Sequence, residues 1–225
     1  MSISPQLLAG HNQYEEVERR DAIYKTASFL VKHFWGDPSK VAEGLGVLLL
    51  VWNSAHYRYG TFDFDELEKS IADNQELLQE YRNRNIGNHT PTEDARIGEF
   101  FQELLEALKT CEKARRGVRS PVAVAKALHL LAPDFFPLWD EVIATQYGCY
   151  YGDDPSGNYI CFLKKTKDIA AQLDKVEEVR SLVGVTGKTL LKLIDEYNYV
   201  AYTLPELKRR AEARAIAKLK KKAGR

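Results

Sequence analysis

The segment from Gly184 to Thr189 reads Gly-Val-Thr-Gly-Lys-Thr, which is how a phosphate-binding loop ends. Such a loop also needs a glycine five residues before the second one, and Leu182 occupies that position. No strong strand pattern precedes the segment, so we do not expect a P-loop nucleotide hydrolase. Phosphate binding by these residues would have to come from helix ends.

The same segment looks like a helix-hairpin-helix turn, in which a glycine-containing hairpin between two helices directs backbone N–H groups at a nucleic-acid phosphate. The unsatisfied donors and positive dipole of a helix N-terminus favour an anion, and Lys188 adds positive charge. The predicted nucleic-acid contacts are Gly184, Gly187, Lys188 and Thr189. The alternative is an ordinary corner between two helices, where the glycines serve only as cap and turn.

A second pattern lies in the middle of the chain. Gly117-Val118-Arg119-Ser120-Pro121 is followed by an apolar stretch to Leu131 and then by Phe136-Pro137-Leu138-Trp139-Asp140. The pattern resembles the helix-hairpin-helix DNA glycosylases, in which a Gly-Val-Gly hairpin leads into a helix and a Phe-Pro-x-x-Asp-like turn delivers an aspartate to an extruded base. The resemblance covers residues 117–143, and only one hairpin glycine, Gly117, is present.

This resemblance implies catalytic roles for two residues. Asp140 matches the family aspartate, which stabilises an oxocarbenium-like sugar or activates water during N-glycosidic cleavage. Lys126 stands a few residues after the hairpin position at which bifunctional members carry a Schiff-base lysine. Apart from the family, Asp140 also suits the start of a helix after Pro137, where a carboxylate complements the helix dipole by about 0.3–1 kcal/mol.

The predicted pocket residues are Trp139, His129, Tyr147 and Tyr151. The loop that follows Tyr147 combines tyrosines with three glycines, and aromatic side chains beside flexible backbone commonly line a pocket or lid. For His129, which stands between two leucines, the alternative is a hydrogen-bonded position in the core. The histidines show no HxxxH or ExxH pair, so we expect no metal site and no cofactor.

Charge is distributed unevenly along the chain. The 32 basic and 32 acidic residues give a net charge of zero, but residues 205–225 hold nine basic and two acidic residues. This tail carries +7, and the remaining residues carry −7. A basic tail supplies sequence-independent affinity for a phosphate backbone, which predicts Lys218, Lys220 and Lys221 as contacts and DNA as a partner. The alternative is a solvated terminal helix.

Apolar residues spaced three and four apart predict an all-α fold. The predicted helices cover residues 14–35, 39–59, 64–84, 92–108, 122–131, 138–147, 159–179, 188–199 and 204–220. We therefore expect one globular domain of eight to ten helices over residues 1–204, with the apolar run at residues 44–52 near its centre, and a basic C-terminal helix over residues 205–225.

Cysteine usage and hydropathy suggest a compartment. The three cysteines have no CxxC spacing, which predicts a reducing, cytoplasmic location. The N-terminal residues are polar and charged, so we expect no secretion signal. The uncharged run at residues 44–52 is far shorter than the roughly 20 residues needed to span a bilayer, so no membrane partner is expected.

Two functional hypotheses follow. The leading one is a nucleic-acid-binding helical protein related to the helix-hairpin-helix glycosylases, with base excision through Asp140. The other is a non-enzymatic helical interaction module, in which residues 117–140 form a structural corner and the basic tail docks an acidic partner.

Overall fold

The computed structural model describes residues 3–112 and 115–223, without the side chains of residues 3, 19 and 219–223. Within these residues the chain forms thirteen α-helices and no strand, which confirms the all-α prediction. The helices are α1 (Ile3–Val17), α2 (Ala22–His33), α3 (Pro38–Trp52), α4 (Ser54–Tyr57), α5 (Phe64–Asp73), α6 (Gln75–Arg82), α7 (Asp94–Ala107), α8 (Pro121–Leu131), α9 (Glu141–Gln146), α10 (Pro155–Leu173), α11 (Glu177–Thr186), α12 (Leu190–Asn198) and α13 (Leu204–Ala223).

There are more helices than the eight to ten expected because several long predicted helices are divided. The helix predicted over residues 14–35 is broken at Arg20 and Asp21, whose φ angles are 74° and 43°. The helix predicted over residues 64–84 is broken at Asn74, whose side-chain amide donates to the Ser70 carbonyl at 2.9 Å. Residues 3–13 and 180–186 are helical, although no helix was predicted there.

Helix α3 lies at the centre of the core, as its uncharged run suggests. Leu45, Leu48 and Leu49 are fully buried, and α2, α5 and α8 pack against this helix. Gly46 permits the close approach of α5, because a Cβ atom at this position would lie 2.8 Å from the Phe64 ring. The middle of α3 is thus held in the core, and its C-terminal end carries Trp52 and Asn53, which line the candidate site.

The C-terminal part of the fold returns to the N-terminus. Helix α12 packs against α1, and a π-helical segment, Tyr199–Thr203, joins α12 to α13. From Lys208 to Lys218 every residue of α13 is exposed. None of the helices formed by the described residues is both long and apolar enough to cross a membrane.

Candidate functional site

A cavity of about 570 Å³ contains both residues that the glycosylase resemblance singles out. Lys126 from α8 and Asp140 from the start of α9 line it, together with residues from α1, α12, the π-helical segment and α13. Pockets that bind small molecules typically enclose about 300–1,000 Å³. We call this space the Lys126 cavity.

Lys126 is held by the end of α3. Its Nζ donates to the Trp52 carbonyl at 3.2 Å and to Asn53 Oδ1 at 2.5 Å. Burial lowers the pKa of Lys126 to about 8, although the carboxylates of Asp140 and Asp195 act in the opposite direction. A substantial share of this side chain is therefore a neutral amine at mildly basic pH, which is the nucleophilic form.

Asp140 is the N-cap of α9 and also lines the Lys126 cavity. Its Oδ1 accepts from the Ile143 N–H at 2.7 Å, and its Oδ2 accepts from the Thr203 hydroxyl at 2.6 Å. Asp140 therefore both caps α9 and lines the cavity. Because the two donors come from different elements, they fix the orientation of the carboxylate.

The cavity wall contains buried donors without partners. Trp139 is 1% exposed, and within the described part of the chain its Nε1 has no hydrogen-bond partner. Asn53 Nδ2 likewise has none, and its orientation is set because Oδ1 accepts from Lys126. Buried polar atoms are nearly always paired.

Helix α12 carries two charged side chains that contact each other, Lys192 and Asp195, and Asp195 lines the cavity. Lys192 is fully buried and lies 3.2 Å from Asp195 Oδ2, with Asp21 Oδ2 and Glu196 Oε1 each at 3.6 Å. Burial lowers the pKa of Lys192, but the three carboxylates outweigh it and raise the pKa above its usual value. Burial raises the pKa of Asp195 to about 6 against the attraction of Lys192. The sequence analysis identified neither residue.

Two of the four predicted pocket residues line the cavity. Trp139 and Tyr151 do so, with their rings edge-to-face at 5.5 Å. His129 does not: it is fully buried, with Nδ1 2.8 Å from the Phe136 carbonyl and Nε2 2.9 Å from the Tyr24 hydroxyl. This is the core position that was the alternative for His129.

Tyr147 is also placed away from the cavity. Its hydroxyl donates to Asn198 Oδ1 at 3.0 Å, and its ring packs edge-to-face on Phe162 at 5.0 Å. These contacts anchor the end of α9 to α10 and α12, so the side chain has a structural position and the expected pocket role is corrected.

The segment from Gly184 to Thr189 forms a corner between α11 and α12. Gly187 ends α11 with a φ of 66°, Thr189 caps α12 by accepting from the Lys192 N–H at 3.2 Å, and Gly184 lies inside α11. Lys188 is buried, and its Nζ contacts Glu15 at 2.5 Å and Glu196 at 2.7 Å. Its charge is therefore paired inside the fold, and we no longer assign it to a phosphate.

The ion pairs of Lys188 also explain a cluster of possible metal ligands. Ligand atoms of His11, Glu15 and Glu196 lie within 4.8 Å of one another. The Lys188 ammonium bonds both carboxylates, so it already supplies the positive charge that a cation would bring. We assign no metal to this cluster.

Gly117, the one hairpin glycine of the resemblance, has a φ of 84° in a turn, but the connection from α7 to α8 spans residues 108–120 and is longer than a tight hairpin. The remaining predicted nucleic-acid contacts belong to α13. Lys218 is exposed on α13. The side chains of Lys220 and Lys221 lie outside the described part of the chain.

The chain matches no protein-family model, no curated protein and no solved structure.

Proposed function

We propose that the Lys126 cavity is the active site of an N-glycosylase that excises a base from a nucleotide extruded from DNA. The observation that carries the proposal is that Lys126 and Asp140, fourteen positions apart along the chain, line the same cavity. Asp140 matches the aspartate of the local resemblance, and Lys126 follows the hairpin position at which bifunctional members carry their lysine.

Asp140 would act on the sugar. As the bond between C1′ and the base breaks, positive charge develops on the sugar, and a fixed carboxylate beside it stabilises that charge. The Ile143 N–H and the Thr203 hydroxyl already hold the Asp140 carboxylate in place. Little reorganisation is then needed when the reaction occurs.

Lys126 would act as the nucleophile. Its neutral amine attacks C1′, the C1′–N bond breaks, and the base leaves with the bonding electrons and takes up a proton. The amine nitrogen loses its proton, and opening of the sugar ring gives a Schiff base that water hydrolyses. Burial, which lowers the pKa of Lys126 to about 8, makes the free amine available near physiological pH.

The walls of the cavity suit a nucleobase. Trp52 and Tyr151 offer aromatic surfaces there, and stacking on an aromatic side chain contributes about 1–3 kcal/mol per base. An extruded base would thus be stacked in this space.

The basic helix begins at this cavity. Leu207 and Arg210 of α13 line the cavity, and the exposed part of the helix continues from there to Lys218. A row of positive charge beside the opening would bind the phosphate backbone from which the base is extruded. The position of α13 thus supports DNA as the partner.

Borohydride trapping on duplexes with a range of damaged bases tests the proposal. Reduction of the Schiff base would join DNA covalently to Lys126, and peptide mapping would locate the attachment. Lys126→Gln should abolish trapping. Lys167→Gln is the matched control, since Lys167 is half-buried and donates to the His89 carbonyl at 2.6 Å, outside the cavity.

Trapping that survives in Lys126→Gln would remove the nucleophile from the proposal. Absence of any excision or trapping by the wild-type protein would contradict the proposal as a whole. If DNA binding persisted without excision, the non-enzymatic interaction module would account better for the protein.

A further inference from the structure

Asp195 is a second carboxylate at the Lys126 cavity, contributed by α12 and not by the segment that holds Lys126 and Asp140. Its Oδ2 accepts from Lys192 Nζ at 3.2 Å. No donor among the described residues bonds its Oδ1, and the side chain is 14% exposed. One oxygen is therefore held in place while the other is free to meet a ligand.

Several ionisable groups surround this carboxyl group, and they come from every element packed around it. They are Lys192 and Glu196 on α12, Tyr14 on α1, Asp21 before α2, Tyr24 on α2, Lys126 on α8, Asp140 at α9 and Tyr199 in the π-helical segment. Burial raises the pKa of Asp195 to about 6, with Asp140 and Glu196 acting in the same direction and Lys192 against it. A large share of Asp195 is thus protonated at mildly acidic pH.

We propose that Asp195 is the catalytic acid of this site and gives its proton to the departing base. The inference rests on the proposed N-glycosylase function. As the C1′–N bond breaks, its electron pair passes to the base, and the base takes the proton from the Asp195 carboxyl group. The resulting Asp195 carboxylate regains a proton from water before the next turnover.

The two carboxylates differ in a way that suits two roles. Asp140 accepts hydrogen bonds from a backbone N–H and a hydroxyl, contacts that suit an anion facing a cationic sugar. Burial favours the neutral form of Asp195 by raising its pKa. Glycoside-cleaving enzymes generally divide the work between an ionised and a protonated carboxyl group.

A comparison of leaving groups tests this role. A neutral damaged base needs a proton to leave, whereas 7-methylguanine already carries positive charge and does not. In single-turnover assays, Asp195→Asn should slow excision of the neutral base by about 10²–10⁴-fold and largely spare 7-methylguanine. The wild-type rate on the neutral base should be level between about pH 6 and 8, because loss of the Asp195 proton offsets the gain in neutral Lys126, whereas the Asp195→Asn rate should rise across that range.

Asp21→Asn is the matched control, because Asp21 also pairs with Lys192 but does not line the cavity. Asp21→Asn removes one carboxylate neighbour of the Lys192 ammonium and should leave the excision rates of both bases unchanged. Asp195→Glu, which keeps a carboxyl group, should recover part of the rate on the neutral base. This second variant keeps the test valid if Asp195→Asn folds poorly.

The outcomes separate the two proposals. If the wild-type protein excises bases but Asp195→Asn slows both leaving groups equally, or slows neither, the acid role is overturned while the N-glycosylase function stands. Excision restricted to 7-methylguanine would also overturn it. If the wild-type protein excises no base, the proposed function fails and this inference with it.

A separate observation concerns two cysteines. Cys149 is buried in the loop after α9, Cys161 is half-buried on α10, and their Sγ atoms are 3.2 Å apart. A disulfide needs a separation of about 2.05 Å, so a small movement brings the sulfur atoms within bonding distance. We infer that hydrogen peroxide converts these two thiols to an intramolecular disulfide, independently of any activity at the Lys126 cavity.

The chemistry assigns a different role to each thiol. Burial raises the pKa of Cys149 to about 11, and the more exposed Cys161 is the thiol that peroxide reaches first. The Cys161 thiolate attacks peroxide to give a sulfenic acid and hydroxide. The Cys149 sulfur then displaces water from that sulfenic acid, so two thiols and one peroxide yield one disulfide and two waters.

The bond would tie α10 to the loop that carries Tyr151, which packs on Trp139 at the cavity. Titration of free thiols in denaturant, with intact mass, tests this. In a Cys111→Ser background, both remaining thiols should disappear with the loss of two hydrogen atoms and return with dithiothreitol. With Cys149→Ser added, no disulfide can form, so the loss of two hydrogen atoms should not occur. A two-thiol protein that resists peroxide, or gains oxygen atoms instead, would overturn the inference.

Discussion

The pKa values of the buried lysines Lys126 and Lys192 shift in opposite directions, because their numbers of carboxylate neighbours differ. Lys192 contacts three carboxylates, and its pKa is raised despite burial. Lys126 bonds a carbonyl and an amide oxygen, and its pKa is lowered to about 8. At the scale of single residues, one lysine is thus a structural cation and the other a candidate nucleophile.

The neutral state of His129 in the folded protein makes the free energy of unfolding depend on pH. Burial lowers its pKa to about 3, so the folded protein keeps it neutral between Phe136 and Tyr24. The unfolded chain binds a proton near pH 6.5, so stability falls as pH drops below that value, by about 1.4 kcal/mol per pH unit. We expect His129→Gln to lower the free energy of unfolding by about 2–4 kcal/mol near pH 7.5.

That loss should shrink by about 2 kcal/mol near pH 5, because the variant lacks the acid-sensitive group. Urea denaturation of both proteins at the two pH values measures the difference. His33→Gln serves as the control, since His33 is exposed. A penalty for His129→Gln that does not change with pH would mean that His129 ionises normally in the folded protein.

Helix α13 has two parts that differ in their contacts with the fold. Its first turns border the cavity through Leu207 and Arg210, whereas the exposed residues up to Lys218 pack against little of the fold. Deletion of residues 212–225 removes six basic residues and one acidic residue. It should change the free energy of unfolding by less than about 0.5 kcal/mol, as is usual for exposed positions.

The same deletion should weaken DNA binding to a similar degree for all sequences. Each lost phosphate contact should also reduce the slope of log affinity against log salt concentration by about 0.9. Filter binding at several salt concentrations measures both effects. Arg214→Gln with Lys218→Gln, which keeps the helix length, should show part of the same change. A truncated protein that unfolds would show that this part of α13 is packed structure.

The helices of the whole molecule were largely predictable, because periodicity of apolar residues reports which face of a segment is buried. The breaks between helices were less predictable. Asn74 is one of several polar residues in its segment, so its sequence does not indicate a break. The residue types of Arg20 and Asp21 likewise do not indicate their positive φ angles. The predicted helix over residues 159–179 ends earlier, at Leu173, and α11 follows.

The cavity was predictable only in part, since tertiary contacts assemble it. The bond from Lys126 to Trp52 spans 74 residues, and that from Thr203 to Asp140 spans 63. Asp195 belongs to no motif. The one available signal in the sequence was that Lys192 is followed by Asp195 and Glu196 in an otherwise apolar helix. A lysine on a buried helix needs carboxylate partners, so this spacing indicates a buried ionic group.

Base excision in the Lys126 cavity would depend on the carboxylate of Asp140. Asp140→Asn keeps the cap of α9, because asparagine is also a good N-cap, and removes the negative charge beside the sugar. Asp154→Asn makes the same change at the N-cap of α10, outside the cavity.

Single-turnover excision on a panel of damaged-base duplexes is the direct measurement. We predict that Asp140→Asn lowers the excision rate by about 10²–10³-fold while DNA affinity holds or improves, and that Asp154→Asn keeps the wild-type rate. Equal excision by Asp140→Asn and Asp154→Asn, or no excision by the wild-type protein on any duplex, would contradict the account.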